Sequence, residues 1–361
     1  MSDTYYFQPE ALSRTVFELC QASGSPRAEA ELVSSRLLKA DLTGHPSHGI
    51  IRMPMYMMML RHDLIKPGVT PEFIHDNGPT ALINGNRSYG QVGAEKAMTV
   101  AIERGLEHGI AGVGVTNLAH IGRLADYANA ASRANCLALV FTSCGGVSSL
   151  VAPFEGLARR MATNPMALGI PSDREYPVVM DMATSVFAEG KLRVMLAAGT
   201  SAPEKALLDK DGKPTTNPAD FYAGGTLLPL GGVQGYKGYL LNFMVEVLAG
   251  LLTGGGYAGG NAKAPFNNCT LMIVINVEKF RELPLFKSEL ESMIAFLKDT
   301  PVAEGKEVLY PGEKEFRHEE AVLKSGVPLA DKTVQAIQEE LDRYEVSIQL
   351  ADLGQLTPFN A

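Results

Sequence analysis

An α/β fold in two domains is predicted by three observations. Strand-like and helix-like segments alternate between residues 80 and 142, a β-branched run at 270–276 reads as a central strand, and both ends of the chain are helical. At 361 residues the chain also exceeds the usual limit for a single core. The order of elements suggests that the ends pack together around a middle part. Residues 1–80 and 280–361 then form a terminal domain, and residues 81–279 form the other.

Residues 8–22 and 26–42 read as amphipathic helices, the second opened by Ser25-Pro26, because proline suits the first helical turn. A third helix is expected over 47–61. Its Met53, Met55, Met57, Met58 and Met59 read as flexible apolar filling of a core or a subunit contact. Short strands at 72–75 and 80–84 precede a long helix, 90–108, with small residues on its packed face. Strand 112–116, helix 122–134, strand 136–142, strand 178–181 and a helix from Ser185 continue the alternation. Asp209-Lys210-Asp211-Gly212 is a hairpin turn signature. The most apolar helix is expected at 236–253, and helices at 286–299, 317–325 and 331–345 close the chain.

Composition excludes several classes of function. Hydrophobic residues make up 46% and charged residues 20%, as in ordinary globular proteins, and the net charge of −8 argues against a nucleic-acid partner. Cys20, Cys136, Cys144 and Cys269 are scattered outside any CxxC arrangement, which suits reduced thiols and a cytoplasmic location. The start of the chain lacks a basic region followed by an apolar run, so no signal peptide is expected and Asn268-Cys269-Thr270 carries no glycosylation meaning. The longest apolar stretch, 239–253, is interrupted by Asn242 and Glu246, so a soluble protein without a membrane partner is expected.

The most informative stretch is Ser47-His48-Gly49-Ile50-Ile51-Arg52. In a helix, His48 and Arg52 would share one face about 6 Å apart, so that a small anion held by the guanidinium could exchange a proton with the imidazole. The plain alternative is a helix cap with a surface histidine. Gly254-Gly255-Gly256-Tyr257-Ala258-Gly259 satisfies GxGxxG by letter, but it follows a helix instead of a strand and reads as a loop. Asp41, His45 and His48 crowd one segment, yet Pro46 interrupts the spacing and no second cluster completes a metal site. Gly-x-Ser-x-Gly is absent, which weakens a seryl-hydrolase reading.

Ala40-Asp41-Leu42-Thr43-Gly44-His45-Pro46-Ser47-His48-Gly49 resembles the "A-x-L-x-G-x-x-S-H-G" segment of the type-2 malate/L-lactate dehydrogenases, and further matches follow in order along nearly the whole chain. These are Tyr89-Gly90-Gln91, Ala119-His120-Ile121-Gly122-Arg123, Ala162-Thr163-Asn164-Pro165, Asp181-Met182-Ala183-Thr184-Ser185, Tyr236-Lys237-Gly238-Tyr239 and Tyr310-Pro311-Gly312-Glu313. The resemblance implies a non-Rossmann dinucleotide-binding domain beside a domain built from both chain termini, in a homodimer. It further implies reversible reduction of a small 2-oxo acid with NADH or NADPH, or of a cyclic imino acid in some branches, and the pattern resembles that of bacterial hydroxycarboxylate dehydrogenases.

Carried over by position, His48 would donate the proton, Ser47 would orient it, and Arg52, His120 and Thr163 would meet the substrate. The cofactor would lie along His48, His120, Gly122, Arg123, Leu124, Val178, Val179, Met180, Asp181, Met182, Tyr236, Lys237, Asn268, Gly312, Glu313, Lys314 and Glu315, with Arg123 available for phosphate charge. Asp181 could instead cap the helix that follows it. No metal is implied. His45-Pro46 departs from the apolar residue and Asp of many relatives, and Tyr236 from a frequent histidine, so the hydrogen bonding around His48 and the choice of NAD or NADP stay open. A metal-dependent hydrolase or lyase centred on His45 and His48 is the rival of another class, and a catalytically silent nucleotide-binding protein is a third reading.

Overall fold

The computed structural model describes residues 4–146, 149–260 and 267–359, and its centre is a seven-stranded mixed sheet. The strand order is Glu72–Asn77, Thr80–Asn84, Ile110–Leu118, Asn267–Asn276, Cys136–Gly145, Met166–Ile170, Val178–Met182. Thr80–Asn84 and Ile110–Leu118 pair in parallel, and the other neighbouring pairs are antiparallel. A parallel pair needs a crossover, and helix Gly90–His108 supplies it. The β-branched run at 270–276 accordingly lies in the middle of the sheet, where both of its edges are paired.

Helices Gly90–His108 and Ala125–Arg133 cover one face of this sheet through Ala97, Met98, Tyr127 and Ala128 against Val113, Val115, Val140 and Met272, all buried. Each such large apolar side chain contributes about 1.5–3 kcal/mol by leaving water. The small residues at the start of the long helix set its height above the sheet. A Cβ added to Gly90 would lie 2.3 Å from the His120 carbonyl oxygen, so this glycine lets the helix start against the turn that carries His120.

The chain ends meet, as their helical patterns suggested. Strand Thr4–Phe7 pairs antiparallel with Val327–Ala330 on one side and Gly354–Gln355 on the other. Beneath them Phe7, Leu12, Leu19, Leu37, Ile50, Met53 and Tyr56 pack with Val322, Ile337, Leu341 and Leu350. Met53, Met57 and Met59 belong to this core, Met55 packs at its margin and Met58 is exposed, so the methionine run is mainly core. The expected boundary at residue 80 falls within a hairpin whose two strands both belong to the large sheet. A third apolar cluster, with Val151, Met161, Phe187, Leu192, Phe221 and Leu227, joins helix Glu189–Ala198 to a small sheet of Thr226–Leu227, Leu207–Leu208 and Pro214–Thr215.

Four expected helices differ in form, one of them that at 236–253, which is an α-helix over Gly235–Val245 continued by a π-helix over Glu246–Leu251. The expected helix over 47–61 is two 3-10 turns, Pro46–His48 and Ile50–Arg52, followed by an α-helix, Met53–Arg61. The 122–134 helix starts at Ala125 because Gly122 takes φ +78° and keeps the chain in a turn. The helix expected from Ser185 starts at Glu189, since the Ser185 hydroxyl donates to the Phe187 carbonyl at 2.9 Å and holds the preceding turn open. Gly254–Gly260 is a loop packed on the central strand; a Cβ at Gly255 would fall 2.0 Å from the Cys269 sulfur. Among the described residues the four cysteines form no disulfide, and no helix is long and apolar enough to cross a membrane.

Candidate active site

The turn carrying His48 is shaped by a buried carboxyl group. Asp41, near the end of helix Arg27–Leu42, accepts the Ile50 N–H at 2.7 Å and occupies the space a side chain at Gly49 would need; a Cβ there would lie 2.2 Å from Asp41 Oδ1. Only glycine fits. Burial pushes the Asp41 carboxyl up to about 8, against the lowering effect of the Ile50 N–H. The helix geometry expected for His48 and Arg52 is therefore replaced by a break at Gly49, yet both side chains reach the same cavity. Ser47 Oγ lies 3.0 Å from His48 Nδ1, and Arg52 turns back to donate through Nε to the Ser47 carbonyl at 2.6 Å.

His120 arrives from the far side, after the strand Ile110–Leu118. Its ring stacks on His48 with centroids 5.4 Å apart, and its Nδ1 lies 2.9 Å from the Tyr56 hydroxyl, which receives a hydrogen bond from Gln91 Nε2 at 2.8 Å. Asn268 Oδ1 accepts the Ile121 N–H at 3.2 Å and braces the same turn. Burial is the main reason the imidazole of His48 is pushed down to about 3, and the cations Arg52, Arg123 and Lys191 lower it further. His120 lies well below its usual value for the same reason, with Arg52 adding to the effect. Both rings are thus neutral near pH 7.

Two cavities meet at His48. The larger, about 440 Å³, is lined by His48, Arg52, His120, Gly122, Leu124, Thr163 and Asn268 among the expected site residues. The smaller, about 280 Å³, shares His48, Leu124 and Thr163 and adds Ser47, Arg123, Asp181 and Met182. Segments distant in sequence therefore converge on one cleft.

Several expected cofactor residues are used differently. Arg123 is not free for phosphate charge: its buried guanidinium pairs with Asp126 and donates to Thr43 Oγ1 at 2.8 Å. Asp181 caps a helix, but the one starting at Ala125, whose N–H it accepts at 2.8 Å, and not the helix following it in sequence. Glu313 is buried between Lys298 and Arg317, both at 2.6 Å, so its charge is already compensated. Val178, Val179 and Met180 line neither cavity; Val179 N donates to the Pro311 carbonyl and so ties the Gly312 turn to the edge strand. Glu315 reaches the rim, with Oε1 3.8 Å from His45 Nε2, and Lys314 is near enough to lower the His45 pKa. Tyr236 and Lys237 are exposed, Tyr236 resting edge-on against Phe154, and they line neither cavity.

Other cavity residues were missed by reading the sequence. Glu189 and Arg193 form an i,i+4 ion pair at 2.7 Å, a spacing that was legible once a helix was expected there. Arg159, Phe221 and Tyr222 come from separate segments and carry no local signal. Asn164 and Glu246 are joined, Asn164 Nδ2 donating to Glu246 Oε2 at 2.6 Å, which explains why a carboxylate interrupts the most apolar helix. Among the described residues no group of three or more His, Cys, Asp or Glu side chains is arranged to hold a metal ion, and the Asp41 carboxyl is directed to Ile50.

A neutral histidine pair thus sits beside an arginine in a cleft against a mixed α/β sheet, an arrangement with the chemistry to exchange a proton with a small anion. The chain belongs to the malate/L-lactate dehydrogenase family, whose model matches residues 7–338. It is 33% identical over 344 residues to hydroxycarboxylate dehydrogenase B of Escherichia coli, covering 93% of this chain and 94% of that protein. It is 35% identical over 350 residues to the L-sulfolactate dehydrogenase of Methanothermobacter thermautotrophicus, covering 96% and 99%. The malate dehydrogenase structure from Pyrococcus horikoshii superposes with a TM-score of 0.85 at 31% identity, covering 95% and 97%. A delta1-piperideine-2-carboxylate reductase from Pseudomonas syringae, at 24% identity and a TM-score of 0.80, shares the fold. The first three of these relatives are named as dehydrogenases of hydroxy acids, and as a member of their family this chain is an enzyme.

Proposed function

We propose that this enzyme reversibly reduces a small 2-oxo acid to the 2-hydroxy acid with NADH or NADPH, using His48 as the proton carrier and Arg52 as the carboxylate clamp. The carrying observation is the convergence of His48, held by Ser47, with His120 and Arg52 on one cavity. When bound, the nicotinamide supplies the hydride taken by the substrate carbonyl carbon. His48 delivers a proton to the carbonyl oxygen as negative charge develops there, and in the opposite direction its neutral ring removes the hydroxyl proton. The Ser47 hydroxyl fixes the ring through Nδ1, leaving Nε2 for that exchange. Arg52 holds the carboxylate, His120 and Thr163 form the adjoining walls, and the Tyr56–Gln91 pair keeps the His120 ring in place.

The residues present fit a nicotinamide dinucleotide. Asn164 Oδ1 is a buried acceptor without a partner among the described residues and belongs to a residue lining the larger cavity, which suits a carboxamide N–H. Gly122, at φ +78°, places backbone without a side chain on the same wall, and Lys191 brings positive charge to the smaller cavity. Leu124, Asp181, Met182 and Asn268 would frame the site, with Lys314 and Glu315 at its rim.

The test is a spectrophotometric panel of 2-oxo acids with NADH and with NADPH, including piperideine-2-carboxylate. Loss of nicotinamide absorbance with at least one 2-oxo acid is expected. No oxidation with any of them overturns the proposal, and faster turnover of the cyclic imine replaces it with imino acid reduction.

A further inference from the structure

The larger cavity is also lined by a set of charged groups that proton transfer does not use. Arg159, Glu189, Arg193 and Tyr222 line the cavity together with Phe221 and Leu150. Glu189 accepts Arg193 Nε at 2.7 Å and the Tyr222 hydroxyl at 2.9 Å, and one carboxylate is thereby shared between an arginine and a tyrosine. With Arg52, the cavity holds three guanidiniums against this single carboxylate.

Arg159 is the cation of the group without a direct ion pair, although Glu189 is near enough to act on its charge. Its Nε donates to the Gly225 carbonyl at 2.6 Å, a terminal nitrogen donates to the Phe221 carbonyl, and its guanidinium lies over the Phe221 ring with the carbon 4.0 Å from the centroid. These neutral partners fix its direction without cancelling its charge, and it forms no ion pair with a carboxylate among the described residues. Arg52 is in the same state: its nitrogens contact the Ser47 carbonyl and, at 3.8 Å, the Met55 sulfur. Two oriented, partly buried cations facing one cavity favour a ligand with two negative charges, because each loses hydration that only an anion restores.

We propose that Arg159 is a specificity-determining residue that holds a second, distal anionic group of the substrate, so that the preferred substrate is a dianionic 2-oxo acid with one anion on Arg52 and the other on Arg159. This rests on the reading of the site as a 2-oxo acid reductase, which supplies the first of the two anions. The Glu189–Arg193–Tyr222 array screens part of the excess charge and walls the distal end. A carboxylate and a sulfonate offer Arg159 the same chemistry.

The test compares kcat/KM for oxaloacetate, 2-oxoglutarate and 3-sulfopyruvate with that for pyruvate, in the wild type and in Arg159→Gln and Arg159→Lys. A wild-type preference for dianions is expected, with the dianion-to-pyruvate ratio falling about 30-fold in Arg159→Gln and partly recovering in Arg159→Lys. Whether the carboxylates or the sulfonate lead shows which distal group the pocket selects. Calorimetric binding of succinate against acetate to the wild-type protein with cofactor present reads the same preference without turnover. Selective succinate binding in a protein that turns over no 2-oxo acid supports the two-anion site and overturns the dehydrogenase reading. Equal binding of succinate and acetate, a wild-type preference for pyruvate, or an unchanged ratio in folded Arg159→Gln overturns the assignment of Arg159. The wild-type measurements decide the matter even where a variant fails to fold.

Discussion

His48 shows how far a single residue could be read in advance. Its type and its neighbours Ser47 and Arg52 were legible, because imidazole suits proton exchange near neutral pH and guanidinium suits holding the carboxylate of a small substrate. Its protonation state was not legible, since that depends on burial and on Arg123 and Lys191, which arrive from other segments. With the free ring pushed down from 6.5 to about 3, the base form persists through the neutral and mildly acidic range. Hydroxy acid oxidation should therefore show no acid limb near pH 6.5 in kcat/KM. Reduction needs the protonated ring, so its kcat/KM should fall about tenfold per unit from pH 6 to pH 8. His48→Gln should lower kcat in both directions by about 10²- to 10⁴-fold. A pH profile with a limb at 6.5 that disappears in His48→Gln would contradict the depressed value.

At the scale of elements, most strands and helices were recoverable because alternation and helical periodicity report which face is buried. The helix at 90–108 matched its full extent, and the hairpin turn at 209–212 formed as its residues suggested, with Asp209 Oδ1 accepting the Asp211 and Lys213 N–H groups at 2.9 Å. The broken 47–61 segment did not, because its apolar spacing continues a helix while Asp41, packed from the preceding helix, makes a break at Gly49 the lower-energy path. Gly49→Ala forces a methyl into the Asp41 carboxyl and should cost about 1–3 kcal/mol in urea unfolding. Asp41→Ala leaves the Ile50 N–H unpaired and should cost a similar amount. The double variant should lose clearly less than the two combined, since the cavity from Asp41 admits the new methyl. Additive losses would show that the two residues do not compete for that space.

At the scale of the whole molecule, the helix Gly235–Val245 and the turn after it present Leu240, Leu241, Met244, Leu251 and Leu252 to solvent. Beside it, a cavity of about 540 Å³ lined by Leu82, Leu248, Leu252, Leu271 and Ile273 opens on the sheet. Monomers rarely leave so continuous an apolar face in water. We propose that two copies of the chain cover it together as a homodimer. Light scattering should give twice the chain mass, and Leu241→Glu combined with Leu252→Glu should shift the protein toward one; a wild-type monomer at micromolar concentration rules the dimer out.

By itself the sequence determined the α/β class and the family and singled out His48 and Arg52 as candidates, because these rest on local periodicity and on residue types whose chemistry does not depend on their surroundings. Tertiary structure alone decided that Arg123 and Glu313 form ion pairs with neighbours, that His120 stacks on His48, and that Arg159 joins the same cavity. Charge compensation, burial and cavity shape are properties of groups brought together from distant segments, and no spacing along the chain encodes them.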